Sequence, residues 1–335
     1  MDEIEIINEG KNNKKVFSRV GWACFTVLAV ATVLQLAGVA LVQVFKPELL
    51  ATAWFTMVLS FAPLYLAAFP LGLLILKPLP AQKPIEYKIG FGTLMTFLVM
   101  CFSVMYIGNI VGTIINSIIA GIKGTELGNP LYEILNNSNI YLNMIFVVIL
   151  APIFEELIFR KLLIDRVRPY GEGIAILVSG LMFGLFHGNL YQFFYAFGLG
   201  AMFAYIYVRT GKVIYTIILH AIINFFGGVL TPLIVENLDL EAISNLDSSD
   251  PQKMMELVQG NLPSIVGYGI YVLAIFGVFI TGLVLLLTKR KSAVILPTEK
   301  QLAKGTGFKT VFLNAGMIFF VLLTLGLMTY TAIAL

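Results

Sequence analysis

Nine apolar stretches run along the chain, at 20–45, 49–76, 89–119, 140–163, 173–187, 191–208, 213–235, 264–288 and 310–334, separated by polar connections. A helix needs about 20 mostly apolar residues to cross the hydrocarbon core of a bilayer. Most of these stretches reach that length, the fifth being short and the third long. The pattern predicts an all-α, polytopic membrane bundle of about nine transmembrane helices. Pro63, Pro70 and Pro152 fall inside predicted spans, where a proline marks a kink whose freed carbonyl a neighbour must satisfy. The chain shows neither an internal repeat period nor a low-complexity tract.

Composition agrees. With 59% hydrophobic and 12% charged residues in 335, the chain lies outside the range of soluble domains. The apolar run after residue 19 is longer than the core of a signal peptide and has no small-residue cleavage pattern, so it is read as a retained first span. Cys24 and Cys101 both lie in apolar runs and make neither a disulfide framework nor a zinc cluster. A net charge of +3 gives no reason to expect nucleic acid as a partner. Membrane lipids are the expected surroundings.

The basic residues sit where orientation is set. Lys77, Lys83 and Lys88, then Arg160, Lys161, Arg166 and Arg168, then Arg209 and Lys212, then Lys289, Arg290, Lys291, Lys300 and Lys304 fall on one side if nine spans alternate. Lys11, Lys14, Lys15 and Arg19 join them, and the positive-inside rule makes that side cytoplasmic. The connection with Glu236, Asp239, Glu241, Asp247, Asp250 and Glu256 falls opposite. The expected organisation is a cytoplasmic segment 1–19, three helices within 20–139, a core at 140–235, an acidic extracytoplasmic loop at 236–263 and two helices within 264–335, N-in and C-out. That loop is too small for a core of its own. Chemistry must therefore occur within the bundle, in what is expected to be the cell membrane.

The core holds the chain's polar exception. Glu155 and Glu156 interrupt an apolar span, where an ionised side chain costs several kcal/mol, about 2.5–3.5 at a helix centre on insertion scales. Helix geometry separates them: Glu156 and Arg160 form an i,i+4 pair with the acid N-terminal, whereas Glu155 points away and needs a partner from another helix. Both histidines of the chain, His187 and His220, lie at or within spans, with Phe183 one turn before the first and Asn224 one turn after the second. A single histidine or asparagine in a span is ordinarily interhelical glue worth about 0.6–2 kcal/mol, and Phe183 or Arg160 alone would be packing or snorkelling. Gathering both histidines and the in-span carboxylates into one third of the chain is what that reading leaves unexplained.

A carboxylate and an imidazole converging on one water can serve as base and then acid in amide hydrolysis, and an amide with a second imidazole can donate to the oxyanion. A metal competes, since Glu155, His187 and His220 with water would make a catalytic zinc set. The H-E-x-x-H pattern that preorganises such ligands is absent, and no cofactor is the favoured expectation. At about 1.5 Å per residue, Glu155, His220 and His187 would lie about 7, 12 and 20 Å from the cytoplasmic loops. Tilt, or a fifth span starting inside the cytoplasm, has to bring them together in a cavity facing the cytoplasmic half.

These residues resemble the three motifs of the CAAX prenyl protease type II family, also called the CPBP or Abi family. Glu155, Glu156 and Arg160 match E-E-x-x-x-R; Phe183 and His187 match F-x-x-x-H; His220 and Asn224 match H-x-x-x-N. The resemblance covers about 140–226. It implies an intramembrane endopeptidase of glutamate type acting on a membrane-associated peptide or lipidated protein, either CAAX-type or peptide-precursor processing. By similarity, Glu155 and His187 would activate the water, His220 and Asn224 would form the oxyanion hole, and Glu156, Arg160 and Phe183 would support them. A non-catalytic bacteriocin self-immunity or scaffold protein is the alternative, and a proton-coupled transporter a more distant one, because the polar residues cluster in one part of the chain rather than in paired halves.

Overall fold

A computed structural model describes residues 3–125, 128–129, 135, 138–236, 238 and 251–334. Among these residues the fold is helical with no strand. The principal helices are α1 (Glu3–Phe45), α2 (Ala53–Leu76), α3 (Phe91–Lys123), α4 (Ile140–Tyr170), α5 (Glu172–Phe186), α6 (Leu190–Thr210), α7 (Val213–Glu236), α8 (Pro251–Lys289) and α9 (Ala315–Ala334). Each apolar stretch of the sequence has become one of them. Seven, all except α5 and α6, are long and apolar enough to cross a membrane by length and composition. The protein is a multi-pass integral membrane protein.

Two helices extend beyond the spans predicted from the sequence. The polar segment 1–19 is helical from Glu3 and continues α1. Residues 251–263, assigned above to the acidic loop, are also helical, and α8 runs through Pro263. Asp239, Glu241, Asp247 and Asp250 of that connection lie outside the described residues or at their edge, and no structure is assigned to the loop they were expected to form.

Large and small side chains are sorted by helix period. On α3, Ile107, Ile110, Ile114 and Ile118 face outward, while Cys101, Gly108, Gly112 and Asn116 are buried. Without a hydrophobic drive between helices in lipid, close approach of small residues is what holds them together. The α5–α6 hairpin is closely packed through glycines. A Cβ on Gly180 would sit 2.8 Å from Ala201 N, one on Gly184 2.8 Å from Phe193 O, and one on Gly200 2.9 Å from the Phe183 ring. Gly184→Val should therefore lower stability by about 1–3 kcal/mol, read as a drop in unfolding temperature in detergent. An unchanged transition would show that the hairpin has slack.

α6 lies between two apolar clusters, one built with α1, α4, α5 and α9 and one with α3 and α7. One end of the bundle is tied by extended connections. Gln82 N–H donates to Asp165 O at 2.6 Å, Tyr87 N–H to Thr210 O at 2.9 Å, Lys300 N–H to Pro169 O and Leu302 N–H to Tyr170 O at 3.1 Å. Glu172, buried at the start of α5, pairs with Arg209 and accepts Leu296 N–H at 2.7 Å. The basic connections 77–90, 160–172, 209–212 and 290–304 thus share one end. Cys24 and Cys101 are buried and free.

Candidate active site

α4 changes pitch on both sides of the acidic pair. Residues 143–150 and 157–162 form π turns, with an α-helical segment at 151–156 between them. π turns expose carbonyls and redirect side chains, and they recur at functional sites. Ala151 N–H reaches Phe146 O, five residues back. Continuing that register, residue 152 would donate to Val147 O, but Pro152 has no N–H. Asn224 Nδ2 of α7 donates to that same carbonyl at 2.9 Å. The neighbour expected to satisfy the carbonyl that Pro152 leaves open is present, and it is Asn224.

The two glutamates differ. Glu156 is fully buried and grips Arg160 bidentately, Nε to Oε2 at 2.8 Å and Nη2 to Oε1 at 3.0 Å. Arg160 Nη1 donates to Ser179 Oγ at 2.9 Å, and Ser179 in turn donates to Phe159 O at 2.8 Å. A buried ion pair is sustained only when its remaining donors and acceptors are met, and here they are. Glu155 keeps 18% of its side-chain exposure, and its ion-pair partner among the described residues is His220 Nε2, at 3.8 Å.

His220 bridges the pair. Its Nδ1 lies 3.0 Å from Glu156 Oε1, so Nδ1–H donates to the carboxylate and Nε2 turns towards Glu155. This contact was not anticipated, since Glu156 was expected to be committed to Arg160 alone. A ring held by a carboxylate at one nitrogen has its tautomer and orientation set, as in other acid–histidine couples.

His187 stands where α5 ends. Its Nδ1–H donates to Phe183 O at 2.8 Å, meeting one of the last carbonyls that a helix terminus leaves open, and this leaves Nε2 as an acceptor. Gly188 (φ 64°) turns the chain, and Asn189 Oδ1 caps α6 at Gln192 N–H, 2.9 Å. The F-x-x-x-H spacing is a helix-terminus motif.

Phe183 is the hub. Its ring meets His187 edge-on at 4.9 Å and His220 at 5.8 Å, centroid to centroid. The Arg160 guanidinium lies 4.8 Å from its centre and 5.6 Å from that of Phe203, which also contacts His220. Both imidazoles therefore reach one aromatic ring from different helices, and the separation in depth estimated from the sequence does not keep them apart. Ser179, Phe203 and Phe159 complete the surroundings without having been singled out. Among the described residues no group of three His, Cys, Asp or Glu is placed to hold a metal ion. Glu155, His187 and His220 are not gathered into such a group in this structure, and no step below passes through a metal. A cavity of about 470 Å³ lies towards the opposite end of the bundle from the basic connections, bounded by Ser138, Asn143, Gly228, Thr231 and Glu236.

The fold and these side chains define a polytopic helical membrane protein with a Glu/Arg/His/Asn cluster enclosed by α4, α5 and α7. Residues 137–226 match the family model described as type II CAAX prenyl endopeptidase Rce1-like. The membrane-embedded CAAX protease MroQ of Staphylococcus aureus (strain USA300) is 28% identical over 157 residues, 44% of this chain and 60% of that protein. The putative membrane peptidase YdiL of Bacillus subtilis (strain 168) is 31% identical over 116 residues, 34% of this chain and 43% of YdiL. CAAX prenyl protease 2 of Homo sapiens is 30% identical over 100 residues, 24% of this chain and 30% of the human protein. The chain therefore matches three fifths or less of the length of each of these relatives. No solved structure matches.

Proposed function

We propose that the protein is an intramembrane endopeptidase of glutamate type, hydrolysing a peptide bond in a membrane-associated peptide or lipidated protein. The observation that carries this reading is the division of labour between the two acids: one buried in a closed ion pair, the other partly open beside an imidazole. Glu155 takes a proton from water as the water oxygen attacks the carbonyl carbon, and His187 Nε2 orients that water by accepting a hydrogen bond from its other hydrogen, which stays on the oxygen. The negative charge moves to the carbonyl oxygen, where protonated His220, through Nε2–H, and the second amide hydrogen of Asn224 donate to it. Collapse breaks the C–N bond, and Glu155 returns the proton to the leaving nitrogen. Phe183 and Arg160 fix the imidazoles and Glu156. The basic end is read as cytoplasmic, with the protein in the cell membrane and the site open towards that half.

Support comes from the match of residues 137–226 to the Rce1-like family model and from relatives named as CAAX proteases. The reconstituted protein should cleave a farnesylated CAAX-type peptide or an unlipidated leader peptide, with product mass locating the bond. Activity in the presence of EDTA or 1,10-phenanthroline should match the untreated enzyme; loss that zinc restores would replace glutamate-type hydrolysis with a metal mechanism. Absence of cleavage across both peptide classes would favour the immunity or scaffold reading.

A further inference from the structure

Tyr65 lies in the π turn 63–68 of α2 and is 7% exposed. Its ring is stacked on Phe154, with centroids 4.1 Å apart and planes at 10°, and Phe61 stacks against the same ring at 5.6 Å. The phenol oxygen is buried and has no hydrogen-bond partner among the described residues. Buried tyrosine hydroxyls ordinarily find one. Tyr207, for comparison, donates to Asp165 at 2.7 Å, and Tyr195 accepts from Gln192 Nε2 at 2.9 Å.

The position of this unmet donor is informative. Phe154, against which the ring lies, immediately precedes Glu155 on α4. His220 approaches Glu155 from α7 at 3.8 Å, whereas Tyr65 comes from α2. A phenol can donate one hydrogen bond and hold it in a fixed direction, because the stacked ring leaves the side chain little freedom. A group bound at Glu155 would provide the acceptor that the protein itself does not.

We propose that the Tyr65 hydroxyl is a further catalytic donor of this site, bonding the carbonyl oxygen of the peptide group on which Glu155 acts, alongside His220 and Asn224. The inference rests on the endopeptidase reading and extends the site to a helix outside the Rce1-like segment. Its role is to stabilise the oxyanion, so its contribution belongs to the transition state and not to ground-state affinity.

Tyr65→Phe keeps the stack on Phe154 and removes only the hydroxyl. Its kcat on a peptide that the wild type cleaves should fall about 10²-fold, towards the lower end for the loss of one oxyanion donor, with KM little changed. Its unfolding temperature in detergent should equal or exceed that of the wild type, because an unmet buried hydroxyl has been removed. Wild-type kcat in Tyr65→Phe overturns the proposal and leaves the endopeptidase reading standing. A lowered kcat with a lowered unfolding temperature also overturns it, since the hydroxyl would then be structural. A wild-type protein that cleaves no peptide overturns the endopeptidase reading, and the Tyr65 role with it.

Discussion

Glu155→Gln should abolish turnover, lowering kcat by about 10³-fold or more, while shifting stability by less than about 1 kcal/mol; Glu156→Gln should do the reverse to stability, costing about 3–5 kcal/mol. The first variant removes a proton acceptor from a side chain that is 18% exposed and meets His220 only at 3.8 Å, so little folded-state energy depends on it. The second leaves the Arg160 guanidinium, fully buried, without its counter-charge. It also withdraws the carboxylate that holds His220 Nδ1 at 3.0 Å, so Glu156→Gln should lose activity as well, through a misoriented imidazole. Kinetics on a cleaved peptide, paired with thermal unfolding of each variant in the same detergent, separates the two. A Glu155→Gln enzyme with measurable wild-type turnover would remove Glu155 as the base. A Glu156→Gln protein as stable as wild type would mean that Arg160 finds another anion.

The part of this asymmetry carried by one helix was legible in the sequence. Glu156 and Arg160 are four residues apart, and their pairing follows from helix geometry whatever else the chain does. The His220 contact with Glu156 joins residues 64 apart, and nothing in either helix alone indicates which acid the ring meets. Ser179 was invisible for another reason: a small hydroxyl in an apolar run resembles ordinary packing until an arginine is found against it. The helix spacing of Gly180 and Gly184, with Gly200 opposite, was a signal that could have marked α5 and α6 as a tight hairpin. Residues 251–263, read from the sequence as part of the acidic connection, are helical and begin α8. A proline disfavours the helical conformation in the residue before it, yet α8 passes through Pro263. Tyr65 is one of 14 tyrosines, and only its unmet hydroxyl, on a ring stacked against Phe154, distinguishes it.

Asn224→Ala should lose both stability and activity, and Pro152→Ala should restore only the stability. Asn224 has two amide hydrogens with two different destinations. One is committed to Val147 O, the carbonyl that Pro152 leaves open in the five-residue register of α4. Such an interhelical bond contributes about 0.6 kcal/mol on average and up to about 1.7. Leaving this part-buried carbonyl unmet brings the loss towards the upper value. Alanine at 152 supplies a main-chain N–H in reach of the same oxygen, so the unfolding temperature of Asn224→Ala/Pro152→Ala should exceed the additive expectation of the two single variants. The other hydrogen is the one assigned to the oxyanion, and no backbone change on α4 replaces it. The double variant should therefore stay about 10²–10³-fold below wild type in kcat. Additive stabilities would remove Asn224 as the strut of the Pro152 break, and recovery of kcat would remove it from the oxyanion hole. With both outcomes as expected, one side chain braces the turn that presents Glu155 and faces the charge that Glu155 helps to create.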